Sequence, residues 1–140
     1  MELLDEAKYY YKLIVVNQSS LDRVKECKSF NAEKINMDEV LLKILENKTT
    51  REKEHSTWDF IEEYLDSISS DLLIIYNLDY LFSPDLGNLD IIKEFKYVSR
   101  TRKVILFVNG KLLDTHLIHS EEGYDDYRRM DISEVLVVGW

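Results

Sequence analysis

The sequence predicts an α/β sandwich built on a mainly parallel sheet of about five strands. Two observations carry this. Four apolar runs, LIVV (13–16), LLII (72–75), VILFV (104–108) and VLVV (135–138), show no polar alternation. Short continuous runs rich in Val and Ile are the pattern of strands buried on both faces, as in a parallel sheet covered by helices. The segments between them carry apolar residues at helical spacing, and strands alternating with helices imply right-handed crossovers.

Taken in order, LIVV at 13–16 is the first strand, and a polar turn and a helix-compatible stretch follow it to Glu26. A weaker strand is expected from Lys34 to Met37. Val40, Leu41, Ile44 and Leu45 then recur at helical spacing behind a cap at Asp38. ENKTTREKEH (46–55) reads as a polar connection. Ser56 with Asp59 resembles a capping box, and Trp58, Ile61, Leu65 and Ile68 form one stripe behind it. After the LLII strand, SPDLGN (83–88) holds the single proline and reads as a turn. Asn88 is the expected cap of a further helix, with Ile91, Ile92, Phe95 and Val98 facing inward. The stretch 110–133 breaks the alternation. GKLLDTHLIH suggests a strand or hairpin, and SEEGYDDYRRMD a polar loop.

The 140 residues suit one domain with one core, 45% hydrophobic and 32% charged, as in a globular protein. No apolar run is long enough to span a bilayer and no charged-then-apolar leader opens the sequence, so a cytoplasmic location is expected and no membrane partner. The one cysteine, Cys27, excludes an internal disulfide and a cysteine-cluster zinc site. A net charge of −9 repels nucleic-acid phosphates on average. Direct nucleic-acid binding is therefore not expected, although a local basic patch is compatible with it. The acidity favours solubility or a basic protein partner.

The stretch LIVVNQSSLDRVKE (13–26) has the strand–turn–helix layout of a phosphate-binding loop and lacks its glycines. KINMDEVLLKILEN, DLLIIYNLDYLFSPDL, SRTRKVILFVNG and YDDYRRMDISEVLVV follow it in that order. This series resembles the small P-loop protein of the BREX bacteriophage-defence systems, their F component, over nearly the whole chain. The resemblance implies a P-loop NTPase-like three-layer sandwich in which the 104–108 strand lies between those at 13–16 and 72–75. It also implies work beside a larger defence-system protein, possibly the large BREX ATPase.

Laid onto the family's phosphate loop, Asn17 takes the first glycine, Asp22 the second, Arg23 the lysine and Val24 the magnesium-binding hydroxyl. Asp22 sets a negative charge against phosphate, Val24 cannot ligate magnesium, and Arg23 is not an equivalent of lysine. Tyr76 stands where an acid would hold magnesium through water, and Asp79 where a catalytic glutamate would stand. The expectation is a pseudo-ATPase with degenerate Walker motifs that needs no ATP or magnesium and acts by protein–protein interaction. Two rivals are a residual nucleotide-binding regulator, with Arg23 and backbone amides holding an anion, and an acidic inhibitor that mimics DNA.

Loops at the carboxyl ends of parallel strands carry the sites of such folds. Here they include residues 17–22, 77–82 and 109–111. Tyr80 and Phe82 are the candidate partner anchors, with Tyr127, Arg128 and Arg129 adjoining. The alternative is that Tyr80 and Phe82 close the core beneath the SPDLGN turn, and that both arginines form a solvated pair near acids. Arg100 and Arg102 either reach a neighbour or are plain surface charges. His116 and His119 share a face only on a helix, so no metal site is expected. EEGYDD (121–126) lacks calcium-loop spacing. Tyr9, Tyr10 and Tyr11 suit packing at the sheet edge better than base stacking.

Overall fold

The computed structural model describes residues 11–17 and 32–140. Within them, β1 (Leu13–Asn17), β2 (Ala32–Asn36), β3 (Leu72–Tyr76), β4 (Lys103–Val108) and β8 (Leu136–Val138) form one parallel sheet in the order β2-β3-β4-β1-β8. β4 thus lies between β1 and β3, with Leu13 opposite Val104 and Leu73 opposite Val104 on its other side. The three central strands are the most continuously apolar. The edge strands are more exposed: β2 carries Glu33 and Lys34, and β8 is apolar but only three residues long.

Alternation along each strand divides the apolar side chains between two faces. Leu13, Val15, Leu73, Ile75, Val104 and Leu106 join one buried cluster with α1 (Met37–Ile44), α2 (Thr50–Asp66) and α3 (Ile91–Val98). Leu72, Ile74 and Phe107 are buried on the opposite face, with Val16, Tyr76 and Ile105 packed beside them. The described residues therefore show a sheet with helices on one face. The expected helix after β1, the third layer it implies, Cys27, Tyr9 and Tyr10 lie outside the described residues.

The helices begin where side chains satisfy their orphan amides, and these points differ from those expected. Asn36, not Asp38, caps α1 by accepting from the Glu39 amide. α2 begins at a full capping box of Thr49 and Glu52, one and a half turns or more before Ser56. Its first turns are polar and face solvent, so apolar periodicity reads only the buried half, Trp58, Ile61 and Leu65. Trp58 meets Phe95 of α3 edge to face at 5.2 Å. Asp90, not Asn88, caps α3.

The stretch from 111 to 131 holds a second, antiparallel sheet of β5 (Lys111–Leu113), β6 (His116–His119) and β7 (Arg128–Asp131). The hairpin suggested by GKLLDTHLIH is present, but RRMD is a strand and not part of the polar loop. Its one apolar residue, Met130, gives no alternation to read; pairing with β6 makes the strand. Leu117 and Met130 are opposite each other and buried in the same cluster as the helices. Their face is the inner one; Ile118 and Arg129 stand opposite each other on the outer one.

The turn 83–88 packs against α2. Gly87 has φ +93°, and a Cβ there would fall 2.1 Å from the Glu54 carbonyl oxygen. Both the left-handed backbone and the space require glycine. Gly87→Ala is expected to cost about 3 kcal/mol through backbone strain and overpacking combined. Thermal unfolding should show a midpoint lowered by roughly 10 °C.

Candidate functional site

Parallel pairing brings the ends of β1, β3 and β4 to one edge, where Asn17, Tyr76 and Asn109 emerge. The chain leaves β3 through Asn77 at φ 56°, a left-handed conformation that asparagine tolerates. That turn aims its backbone at α1. The Asp38 amide donates to the Asn77 carbonyl at 3.0 Å, and the Tyr80 amide donates to the Asp38 carboxylate at 3.0 Å. Asp38 lies inside the first turn of α1, behind the Asn36 cap, and its side chain serves this orphan amide instead. Burial raises the Asp38 carboxyl above its usual range, the Tyr80 amide opposes this, and the nearby Asp79 charge adds to it.

Asp79 is exposed and accepts from the Asn109 side-chain amide at 3.4 Å. The Asn109 carbonyl lies 3.1 Å from His119 Nδ1. A carbonyl only accepts, so that nitrogen carries a proton. The imidazole is buried and stacks on Phe82, centroids 3.6 Å apart and planes 11° off parallel. Its Nε2 lies 3.6 Å from Asp126. The Asp126 carboxyl is held low first by the Ser120 hydroxyl and also by the charges of His119 and Arg128.

Arg128 comes from the inner face of β7. One guanidinium nitrogen donates to the Phe82 carbonyl at 2.9 Å and to Asn88 Oδ1 at 3.1 Å. The other donates to the carbonyls of Tyr127 at 2.7 Å and Asp125 at 3.2 Å. One cation therefore ties the second sheet and its acidic loop to the turn after β3.

These placements divide the residues expected at this edge. Asn17 ends β1 and is half-buried. Tyr76 points to the second sheet face and packs with Leu72, Ile74 and Phe107, so it is a wall residue at the edge of that cluster. Phe82 is 0% exposed, which corrects its expected place among surface anchors: it closes the core. Tyr80 is half-buried and packs against that core, near Leu41 of α1 and Leu45, which caps its carboxyl end. Tyr127 is half-buried. Arg128 is an internal clamp, which corrects its pairing with Arg129 as one surface feature. Asp22, Arg23 and Val24 lie outside the described residues. His116 and His119, three apart on β6, point to opposite faces and do not converge.

Asp38, Asn109 and His119 form the wiring of this edge, and sequence reasoning did not find them together. Their partners lie 10 to 42 residues away, and no local spacing encodes such contacts. Compared with models of protein families, with curated proteins and with solved structures, the chain finds no match. Among the described residues no helix is long and apolar enough to cross a membrane.

The two adjacent arginines give a direct test. Arg128→Ala leaves several carbonyls without their donor and should cost about 2 kcal/mol. Arg129→Ala removes an exposed side chain and should fall within about 0.5 kcal/mol of the parent. Urea unfolding of both variants checks this, and equal losses would contradict the assignment of Arg128 as the clamp.

Proposed function

We propose that this chain is a non-catalytic, degenerate P-loop NTPase-like subunit of a BREX-like bacteriophage-defence complex, acting through protein–protein contact. The resemblance of the ordered motifs supports this reading. So does the strand order, because β4 lies between β1 and β3 as that resemblance implies. The observation that carries the loss of catalysis is Tyr76. At the end of β3 a magnesium-holding acid is required, and a phenol packed on Leu72, Ile74 and Phe107 stands there instead. Of the two nearby carboxylates, Asp38 is part-buried and accepts from the Tyr80 amide at 3.0 Å, while Asp79 is exposed beside Asn109.

In this reading the core is a scaffold that presents side chains to a larger defence-system protein. Of the aromatic and basic residues near the carboxyl edge, Tyr80, Tyr127 and Arg129 keep accessible surface for that role. Phe82 and Arg128 hold the edge in shape.

Purified protein is expected to hydrolyse neither ATP nor GTP above buffer, with or without magnesium. Turnover that disappears on Arg23→Ala would overturn the reading. Tyr76→Asp alone should not create magnesium–ATP binding, because Asp22 and the missing glycines still oppose the phosphates; calorimetry measures this.

Co-expression with the large ATPase of a BREX locus tests the partner. A stable complex is expected, weakened by Tyr127→Ala with Arg129→Ala while unfolding stays near that of the parent. A chain that never co-purifies, or a complex indifferent to that double variant, removes either the partner or this edge.

A further inference from the structure

α2 ends against its own dipole. Its last turn holds Glu63 and Asp66 and no basic residue. Helix carbonyls gather partial negative charge at that end, so an acid there is unfavourable and a cation is favoured. Glu62 and Asp66 are four apart and share one face of the helix. Burial, and after it the charge of Glu62, raises the Glu94 carboxyl on α3 above its usual range, with Lys93 opposing and Asp90 and Asp59 adding. Negative charge is thus crowded along the seam between the two helices.

A hollow of about 230 Å³ opens on this seam. Glu62, Leu65 and Asp66 line it from α2, Tyr97 and Val98 from α3, and Arg102 from the turn into β4. Glu62 accepts from the Trp58 indole at 2.9 Å through one oxygen, which fixes the carboxylate and leaves its other oxygen for a ligand. Arg102 is the unusual member. Its Nη1 is closed off from solvent and meets no acceptor, and among the described residues the guanidinium forms no ion pair. Two carboxylates border the same hollow, yet neither closes on it. Buried polar groups are nearly always paired, so this orphan donor points to an acceptor supplied from elsewhere.

From this juxtaposition we infer a binding site for a cationic amino acid with a free carboxylate, of the arginine or lysine class. The carboxylate accepts from Arg102, whose forked donors match its two oxygens. The cationic groups face Glu62 and Asp66 at the carboxyl end of α2. Charge agrees: two acids against one arginine leave the hollow one negative charge, and such a ligand carries one positive charge at neutral pH. The volume lies below the roughly 300–1,000 Å³ of drug-sized sites, which suits one amino acid and not a nucleotide. Tyr97 stands at the rim with the Arg100 guanidinium 5.1 Å from its ring centre, so Arg100 is engaged and is no part of the site. β4 begins at Lys103, next to Arg102. The hollow therefore lies at the amino edge of the sheet, and it is independent of the carboxyl edge and of any protein partner there.

Calorimetry and NMR titration of L-arginine and L-lysine against the full chain test this. A dissociation constant on the order of 0.1–1 mM is expected for so small a ligand. Citrulline, the neutral isostere of arginine, and argininamide, which lacks the carboxylate, should each bind about tenfold more weakly or worse. Nα-Acetylarginine separates two sources of the same chemistry. Retained binding identifies the carboxyl-terminal arginine of a peptide, and lost binding the free amino acid. Asp66→Asn, and Glu62→Gln, which keeps an acceptor for Trp58, should each weaken arginine about tenfold and narrow its lead over citrulline. Arg102→Gln should bring arginine and argininamide to equal affinity, and Lys48→Gln, on another part of the surface, should leave binding unchanged.

Circular dichroism and thermal unfolding accompany each variant. Arg102→Gln should leave the unfolding midpoint unchanged or raised, because it removes a desolvated donor that has no acceptor. Absence of saturable binding by both methods overturns the proposal. So does citrulline or glutamate binding as tightly as arginine, or a preference for the carboxylate that survives Arg102→Gln. A large fall in the midpoint of Arg102→Gln makes that arginine a structural group and also overturns it.

Discussion

Both faces of β1, β3 and β4 must be kept from water, and the rest of the structure follows from that constraint. Each fully buried Leu, Ile or Val on these strands is worth about 2 kcal/mol relative to exposure. Leu13, Leu73, Ile75, Val104 and Leu106 are all at or near zero exposure. Parallel pairing requires crossovers, and crossovers place α1, α2 and α3 over one face. They also return every strand in the same direction, so that Asn17, Tyr76 and Asn109 reach a common edge. The site candidates share a location because the core needs covering.

At that edge the polar groups are spent on one another. Asp38 answers the Tyr80 amide, Asp79 the Asn109 amide, the Asn109 carbonyl His119, and the Phe82 carbonyl Arg128. A buried amide or carbonyl left without a partner costs about 1–3 kcal/mol, so the part-buried bonds of the Tyr80 amide and of the Asn109 and Phe82 carbonyls help hold the turn after β3 in one shape. The Phe82–His119 stack and the Arg128 clamp transmit this to the second sheet.

Charge is distributed with the same economy. The acids that make the chain negative overall include the Glu121–Asp126 loop, where Asp126 answers Ser120 and His119. Two cations pair with rings instead: Lys96 and Arg100 lie by Tyr11, and Arg100 also by Tyr97. A net charge describes the far field of a molecule. At contact distance, within a Debye length of about 8–10 Å, the local arrangement governs.

The sequence by itself determined the sheet, its parallel character and the helices that cover it. Continuous Val- and Ile-rich runs have no other economical burial, and the stripes on α2 and α3 are local periodicities. It also located the turn at 83–88 and the hairpin after β4. The tertiary structure alone decided where helices begin, that RRMD becomes a strand, that Phe82 is core, and that Arg128 and its neighbour Arg129 part company. Each of those depends on a partner distant along the chain: Asp38 on Tyr80, β7 on β6, Phe82 on His119, Arg128 on Asn88. Hydrophobic periodicity is written into neighbouring residues. Satisfaction of a buried donor or acceptor depends on whichever group the fold brings within about 3 Å, and that is fixed only once the chain has closed on itself.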